Sequence, residues 1–220
     1  MNGAIFQTTG QALHVSYMIV SQEPRQDGAL RKAILQIMSA LDSLTKGQRD
    51  WMNQLIGEAS GTVDFGGLTA DEVRAQCAMV TQVVKDHLPA PEMWAVHARF
   101  IPTEIEDMGR DEEGRTIKRF YYSQERVNAI VGLSGYLQPG FPTIPGAALD
   151  MMIARAFANH AKIEISFREL AENFGGNHMT YARANKSLIE KLRELEQMAV
   201  RRLTPMFERT GLVEKFAQSA

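Results

Sequence analysis

The sequence predicts an all-α protein: a helical N-terminal domain followed by two helices around a glycine turn, the second of them long. Three observations predict it. Apolar residues recur at helical spacing in one segment after another of the 220-residue chain. Thr69 with Glu72 and Ser166 with Glu169 have the S/T-x-x-E arrangement in which a hydroxyl and a carboxylate satisfy a helix's first free N–H groups. Glycine and proline clusters punctuate the segments between these helices.

In order along the chain, Leu30, Ala33, Ile34, Ile37, Met38 and Leu41 define a first helix, and Gln48 to Gly57 a shorter one carrying Trp51, Leu55 and Ile56. Gly57, Gly61, Gly66 and Gly67 interrupt the chain before the Thr69 capping box opens a helix through Val73, Cys77, Val80 and Val84 to a stop near Pro89. Pro91 suits the first turn of the next helix, which runs through Trp94 and Val96 to Phe100. The polar stretch 102–118 holds six acidic residues and two glycines, and reads as an acidic connector, either a loop or a loose hairpin. Glu104, Glu106, Asp107, Asp111, Glu112 and Glu113 lack the alternating spacing of a calcium loop, so no metal is expected. Phe120, Tyr121 and Tyr122 read as a core anchor, because beyond Lys118 and Arg119 no basic residues interleave with them as in a base-stacking surface.

Ser123 opens a helix through Val127, Ile130, Val131 and Leu133, followed by a bend from Gly135 to Gly146 whose three prolines preclude regular helix. The next helix, Ala147 to His160, carries Leu149, Met152, Ile153, Ala156 and Phe157 on one side. The organisation expected is a helical domain over 1–119, including the connector, and a second domain over 120–220, the boundary falling within 120–145. The twelve methionines read mostly as core filler.

The segment from Ser166 to Lys191 is the most specific. Phe167, Leu170, Ala171 and Phe174 fall at i, i+3, i+4 and i+7, with Arg168, Glu169, Glu172 and Asn173 on the other side. Gly175 and Gly176 can take the positive φ that a sharp helix ending requires, and Asn177 is a good cap for a new helix. That helix is expected to run from Met179 to about Glu208, near Pro205, with Leu188, Ile189, Leu192, Leu195, Met198, Ala199 and Leu203 on its apolar side. At a rise of 1.5 Å per residue it is about 40 Å long. Its far end must therefore pack either on another part of this chain or on a second copy.

Leu170-Ala171, Gly175 and the polar stretch Asn177-His178-Met179-Thr180 resemble the helix-turn-helix domains of bacterial and phage transcription regulators, over 26 of the 220 residues. The turn Gly175 to Tyr181 is similar to the G-V-S-x-M-T-V turn of winged repressors, with Gly176 in place of a branched apolar residue and with Tyr181 and Ala184 at positions where aliphatic residues are common. A wing would need a hairpin after the second helix, whereas Ser187 to Arg202 reads as helix. A simple or sigma-like helix-turn-helix with a long terminal helix is therefore expected. The stretch Ile165 to Ala171 and the overall layout also resemble late-gene antiterminators of lambdoid phages, sigma-factor DNA-recognition regions and small terminase subunits.

The resemblance implies sequence-specific binding of double-stranded DNA, with the second helix in the major groove and Asn177, His178, Thr180, Arg183 and Lys186 on or near the DNA. Arg168 and Lys191 are further candidates. Asn can pair with adenine and Arg with guanine, while Thr and Lys more often hold phosphate. The same residues would equally form the solvated face of an amphipathic helix. The alternatives are an antitermination or packaging factor acting through RNA polymerase or another protein, and a helical interaction module that binds no DNA. A homo-oligomer is the expected state.

Composition is compatible with this reading. The net charge of −2 divides into −4 for the first 160 residues and +2 for the last 60, where ten Lys or Arg face eight Asp or Glu, so phosphate contact must come from a local patch such as Arg183, Lys186, Lys191, Arg201 and Arg202. The single cysteine, Cys77, reads as a core residue, and no intramolecular disulfide or cysteine metal cluster can form from it. No apolar run approaches the ~20 residues of a membrane span, and Met1 to Gly10 lacks the pattern of a secretory signal. A cytoplasmic protein without cofactor is expected. No phosphate-cradling glycine loop, nucleophile elbow or HExxH occurs, so no enzyme is expected.

Overall fold

The computed structural model describes residues 4–22, 68–110, 116–158 and 165–214. The chain is mostly helical, with one short two-stranded sheet among the described residues. The expected helices over Leu30–Leu41 and Gln48–Gly57 lie outside the described residues. The elements are α1 (Thr9–Val20), α2 (Ala70–His87), α3 (Ala90–Phe100), β1 (Thr103–Arg110), β2 (Thr116–Tyr122), α4 (Gln124–Leu137), a 3-10 turn (Gln138–Gly140), α5 (Gly146–Ala156), α6 (Phe167–Phe174) and α7 (His178–Arg209).

Both capping boxes form. Glu72 Oε2 accepts from Thr69 N at 2.8 Å, and Glu169 Oε2 accepts from Ser166 N at 2.7 Å. Helix α1 was not anticipated. It is buried on nearly every side, from Thr9 through Ile19, so its sequence shows no one-sided stripe. The proline bend also starts later than expected: α4 continues through Gly135 to Leu137, and the first proline, Pro139, falls in the 3-10 turn that follows. Pro205 lies inside α7, one turn from its end, where it has no N–H to donate to the carbonyl of Arg201.

The described helices enclose two cores. One gathers Leu13, Tyr17, Val73, Cys77, Val80 and Val84 of α1 and α2 around Ala199, Leu203 and Phe207 of α7. Phe6, Leu212 and Val213 close it, with Phe6 N donating to Leu212 O at 2.9 Å. The other gathers Ile130, Leu133, Leu149, Met152, Ile153 and Leu170 of α4, α5 and α6 around Tyr181, Leu188 and Leu192 of α7. Helix α7 thus serves both cores, and its far end packs on the N-terminal part of its own chain. Helix α3 does the same, with Val96 and Phe100 in the first core and Ala95 and Ala98 in the second.

These two shared helices are joined by ion pairs. Arg99 meets Glu196 at 2.5 Å with both side chains buried, and Arg202 grips Glu92 through two bonds of 2.9 and 3.0 Å. Since residue 92 meets 202 and 99 meets 196, α3 and α7 run antiparallel. The α3–α4 crossing is close because Gly132 lacks a side chain: a Cβ there would stand 2.6 Å from the Trp94 ring.

The acidic connector is an antiparallel hairpin, with Thr103 opposite Tyr122, Glu106 opposite Arg119 and Asp107 opposite Lys118. Arg126 holds its base. The fully buried guanidinium donates to Ile101 O (2.9 Å), Thr103 Oγ1 (3.0 Å) and Phe157 O (2.6 Å), and lies 4.4 Å over the Tyr122 ring. Burial lowers its pKa to about 10, with Tyr122 opposing the shift and Arg99 adding to it. Tyr122 is the anchor that the sequence suggested, whereas Tyr121 faces solvent. Among the described residues the methionines are divided: Met18 and Met152 are buried and Met93 and Met206 pack partly buried on the first core, but Met79, Met108, Met151, Met179 and Met198 are exposed, so most are not core filler. Cys77 is buried in the first core, and burial raises its thiol pKa to about 11.

Candidate nucleic-acid interface

The candidate interface is assembled from the end of α5 onward. Arg155 at the last turn of α5 donates to Ile165 O at 2.7 Å and lies 4.2 Å over the Phe167 ring, tying α5 to the entry of α6. Leu170 is fully buried at the centre of α6, while Phe167, Ala171 and Phe174 pack on the same core from either side. The apolar stripe read from the sequence is therefore the buried face of the helix. Arg168, Glu169, Glu172 and Asn173 are exposed.

The turn is built by both glycines. Gly175 has φ 79° and ψ 176°, and Gly176 has φ 86°. These are conformations that an L side chain rarely adopts, so the chain can reverse within two residues. Tyr181, buried on α7, donates its hydroxyl to Gly175 O at 2.8 Å and satisfies a carbonyl that the end of α6 leaves free. An aliphatic residue at that position could not make this bond. The aromatic departure from the resembled pattern thus has a local reason, which sequence spacing alone did not reveal.

Helix α7 begins where Asn177 Oδ1 accepts from Met179 N at 2.9 Å. Tyr181, Leu188 and Leu192 point into the core, and the opposite face begins with Met179, Arg183 and Lys186 at i, i+4 and i+7, all exposed. His178 and Thr180 are also exposed and lie on either side of this stripe by helical geometry. Asn177 is exposed, but its side-chain oxygen already serves the cap. Lys191 is exposed about 20 Å farther along the axis and lies beside the 3-10 turn, its Cε 3.8 Å from where a Gly140 Cβ would be.

The chain matches no protein-family profile and no curated protein. The site is therefore defined by its own residues.

Two features limit its charge. Glu190 and Glu194 continue the exposed stripe after Lys186, so the positive part of the face is confined to the first two turns or so. The basic patch expected from composition is also smaller than its five residues. Arg202 is engaged by Glu92, and Arg201 lies about 22 Å along the helix from Lys186. What remains near the turn is Arg183 and Lys186, while Arg168 is exposed at the start of α6, the end away from the turn. Among the described residues no group of three or more His, Cys, Asp or Glu could hold a metal, and no helix is long and apolar enough to cross a membrane.

Proposed function

We propose that this chain is a sequence-specific DNA-binding protein, a transcription regulator of the helix-turn-helix type, acting by binding alone from a cytoplasmic location. The observation that supports the reading best is the pairing of a two-glycine turn with an outward stripe of Met179, Arg183 and Lys186 on the first turns of the following helix. Its buried face is committed to Tyr181 and Leu188, which fixes the direction in which the polar face points. An α-helix presented this way fits the ~12 Å width of the major groove.

Roles divide by chemistry. Arg183 presents the planar donor pair that matches guanine O6 and N7. Lys186, Arg168 and Lys191 supply point charges for phosphates, and Thr180 a hydroxyl. Asn177 sets the start of the helix through its cap, leaving its amide NH2 as the donor toward DNA. With so few basic residues and a local net charge of only +1 over residues 166–191, from four basic and three acidic side chains, affinity must come from recognition and not from a general basic surface.

Selection from a randomised duplex pool at near-physiological salt tests this, run beside an Arg183→Ala/Lys186→Ala variant. Enrichment of one motif by the native chain and its loss in the variant is the expected result. Enrichment of no motif by the native chain would overturn the reading and turn attention to protein partners, whereas equal enrichment by both would overturn the part given to Arg183 and Lys186.

A further inference from the structure

Met179 opens the exposed stripe of α7 with an apolar side chain that no packing need explains. It is 47% exposed and belongs to neither core, whereas Tyr181, two residues on, is 2% exposed. Its backbone is held by the bond from its N–H to Asn177 Oδ1, so the residue's place at the helix start is defined. Arg183 and Lys186 follow on the same face, giving the surroundings of the thioether the positive charge that complements a phosphate backbone.

In the major groove the apolar feature a side chain can meet is the 5-methyl group of thymine. A methionine suits that contact: it is unbranched, its three torsions let it seek a small target, and its sulfur is polarizable. Met179 and Arg183 are four positions apart, about 6 Å along the axis or roughly two base-pair steps, so the two side chains would read base pairs about two steps apart. We infer that Met179 reads the methyl group of a thymine close to the guanine contacted by Arg183. This rests on the DNA-binding reading above.

The test uses the duplex enriched in the selection, resynthesised with deoxyuridine in place of thymidine at one position at a time, which removes the methyl group and leaves every hydrogen-bonding group in place. At one thymine the native full-length chain should lose about fourfold in affinity, the value of one buried methyl-sized group. A Met179→Ala variant should bind the thymine and uracil duplexes equally, and Met179→Leu should keep part of the preference. Because Met179 is exposed, the variants should melt as the native chain does. A motif that tolerates uracil at every position, or a uracil penalty that persists in Met179→Ala, would overturn the inference and leave the DNA-binding reading standing. Failure to enrich any motif would remove both.

Discussion

At Gly175 the backbone sits at φ 79° and ψ 176°, a region populated almost only by glycine, yet a Cβ there would meet nothing within 4 Å. A Gly175→Ala change therefore carries backbone strain without a clash. It should lower stability by about 1–3 kcal/mol in urea denaturation, and it should weaken DNA binding further by redirecting the start of α7. A substitution without effect on either would mean that neither stability nor binding depends on the positive φ at Gly175. The residue scale also separates what was readable from what was not. The capping pair Ser166 and Glu169 was readable, because partners three apart can meet only within one helical turn. That Arg202 is occupied by Glu92 was not, since 110 positions separate them and only the tertiary fold brings them together.

At the scale of elements, α7 was readable nearly to its ends. Asn177 marks its start, and an apolar stripe runs unbroken to Phe207. Helix α1 escaped because burial on all sides leaves no periodicity to detect. The hairpin was foreseen only as an alternative to a loop, for its acidic residues carry little β propensity and its pairing depends on Arg126 closing the base. The direction of the candidate site was partly readable, since Met179, Arg183 and Lys186 fall at helical spacing. The roles of Tyr181 and Met179 were not, because spacing does not say which hydroxyl finds a carbonyl or which methionine stays outside the core. The α3–α7 seam yields a prediction of its own. Arg99→Met removes the guanidinium paired with the buried Glu196 carboxylate and should destabilise the fold, by up to about 3–5 kcal/mol. Adding Glu196→Leu should recover at least half of that loss. A double variant as unstable as the single one would show that the seam depends on these side chains for more than their opposite charges.

Over the whole molecule, stability should depend on pH through histidines set between the helices. His14 packs edge-on to Phe100 at 6.1 Å between ring centroids, and His97 packs on Tyr17 at 5.7 Å. Both His14 ring nitrogens and His97 Nε2 are buried without a hydrogen-bond partner. Burial lowers both pKa values to about 4 from 6.5. Arg99 adds to the shift at His14; at His97 the shift is opposed by Glu125, 3.8 Å from Nδ1, and supported by Lys85. Between pH 4 and 6.5 the unfolded chain binds these protons and the folded chain does not. The stabilisation is therefore complete above about pH 6.5 and declines as pH falls toward 4. At pH 5 the loss should reach about 2 kcal/mol for each histidine. Melting temperatures from pH 7.5 to 4.5 should show this decline, and it should be shallower in a His14→Phe variant. A flat profile over that range would contradict the burial of these rings.

Guanine N7 methylation of the selected duplex tests whether the exposed stripe of α7 enters the major groove, because N7 lies in that groove. The native chain should protect one guanine per site, and Arg183→Ala should lose that protection while its melting temperature stays unchanged. Guanines that remain fully reactive under saturating protein, or protection that Arg183→Ala retains, would contradict it.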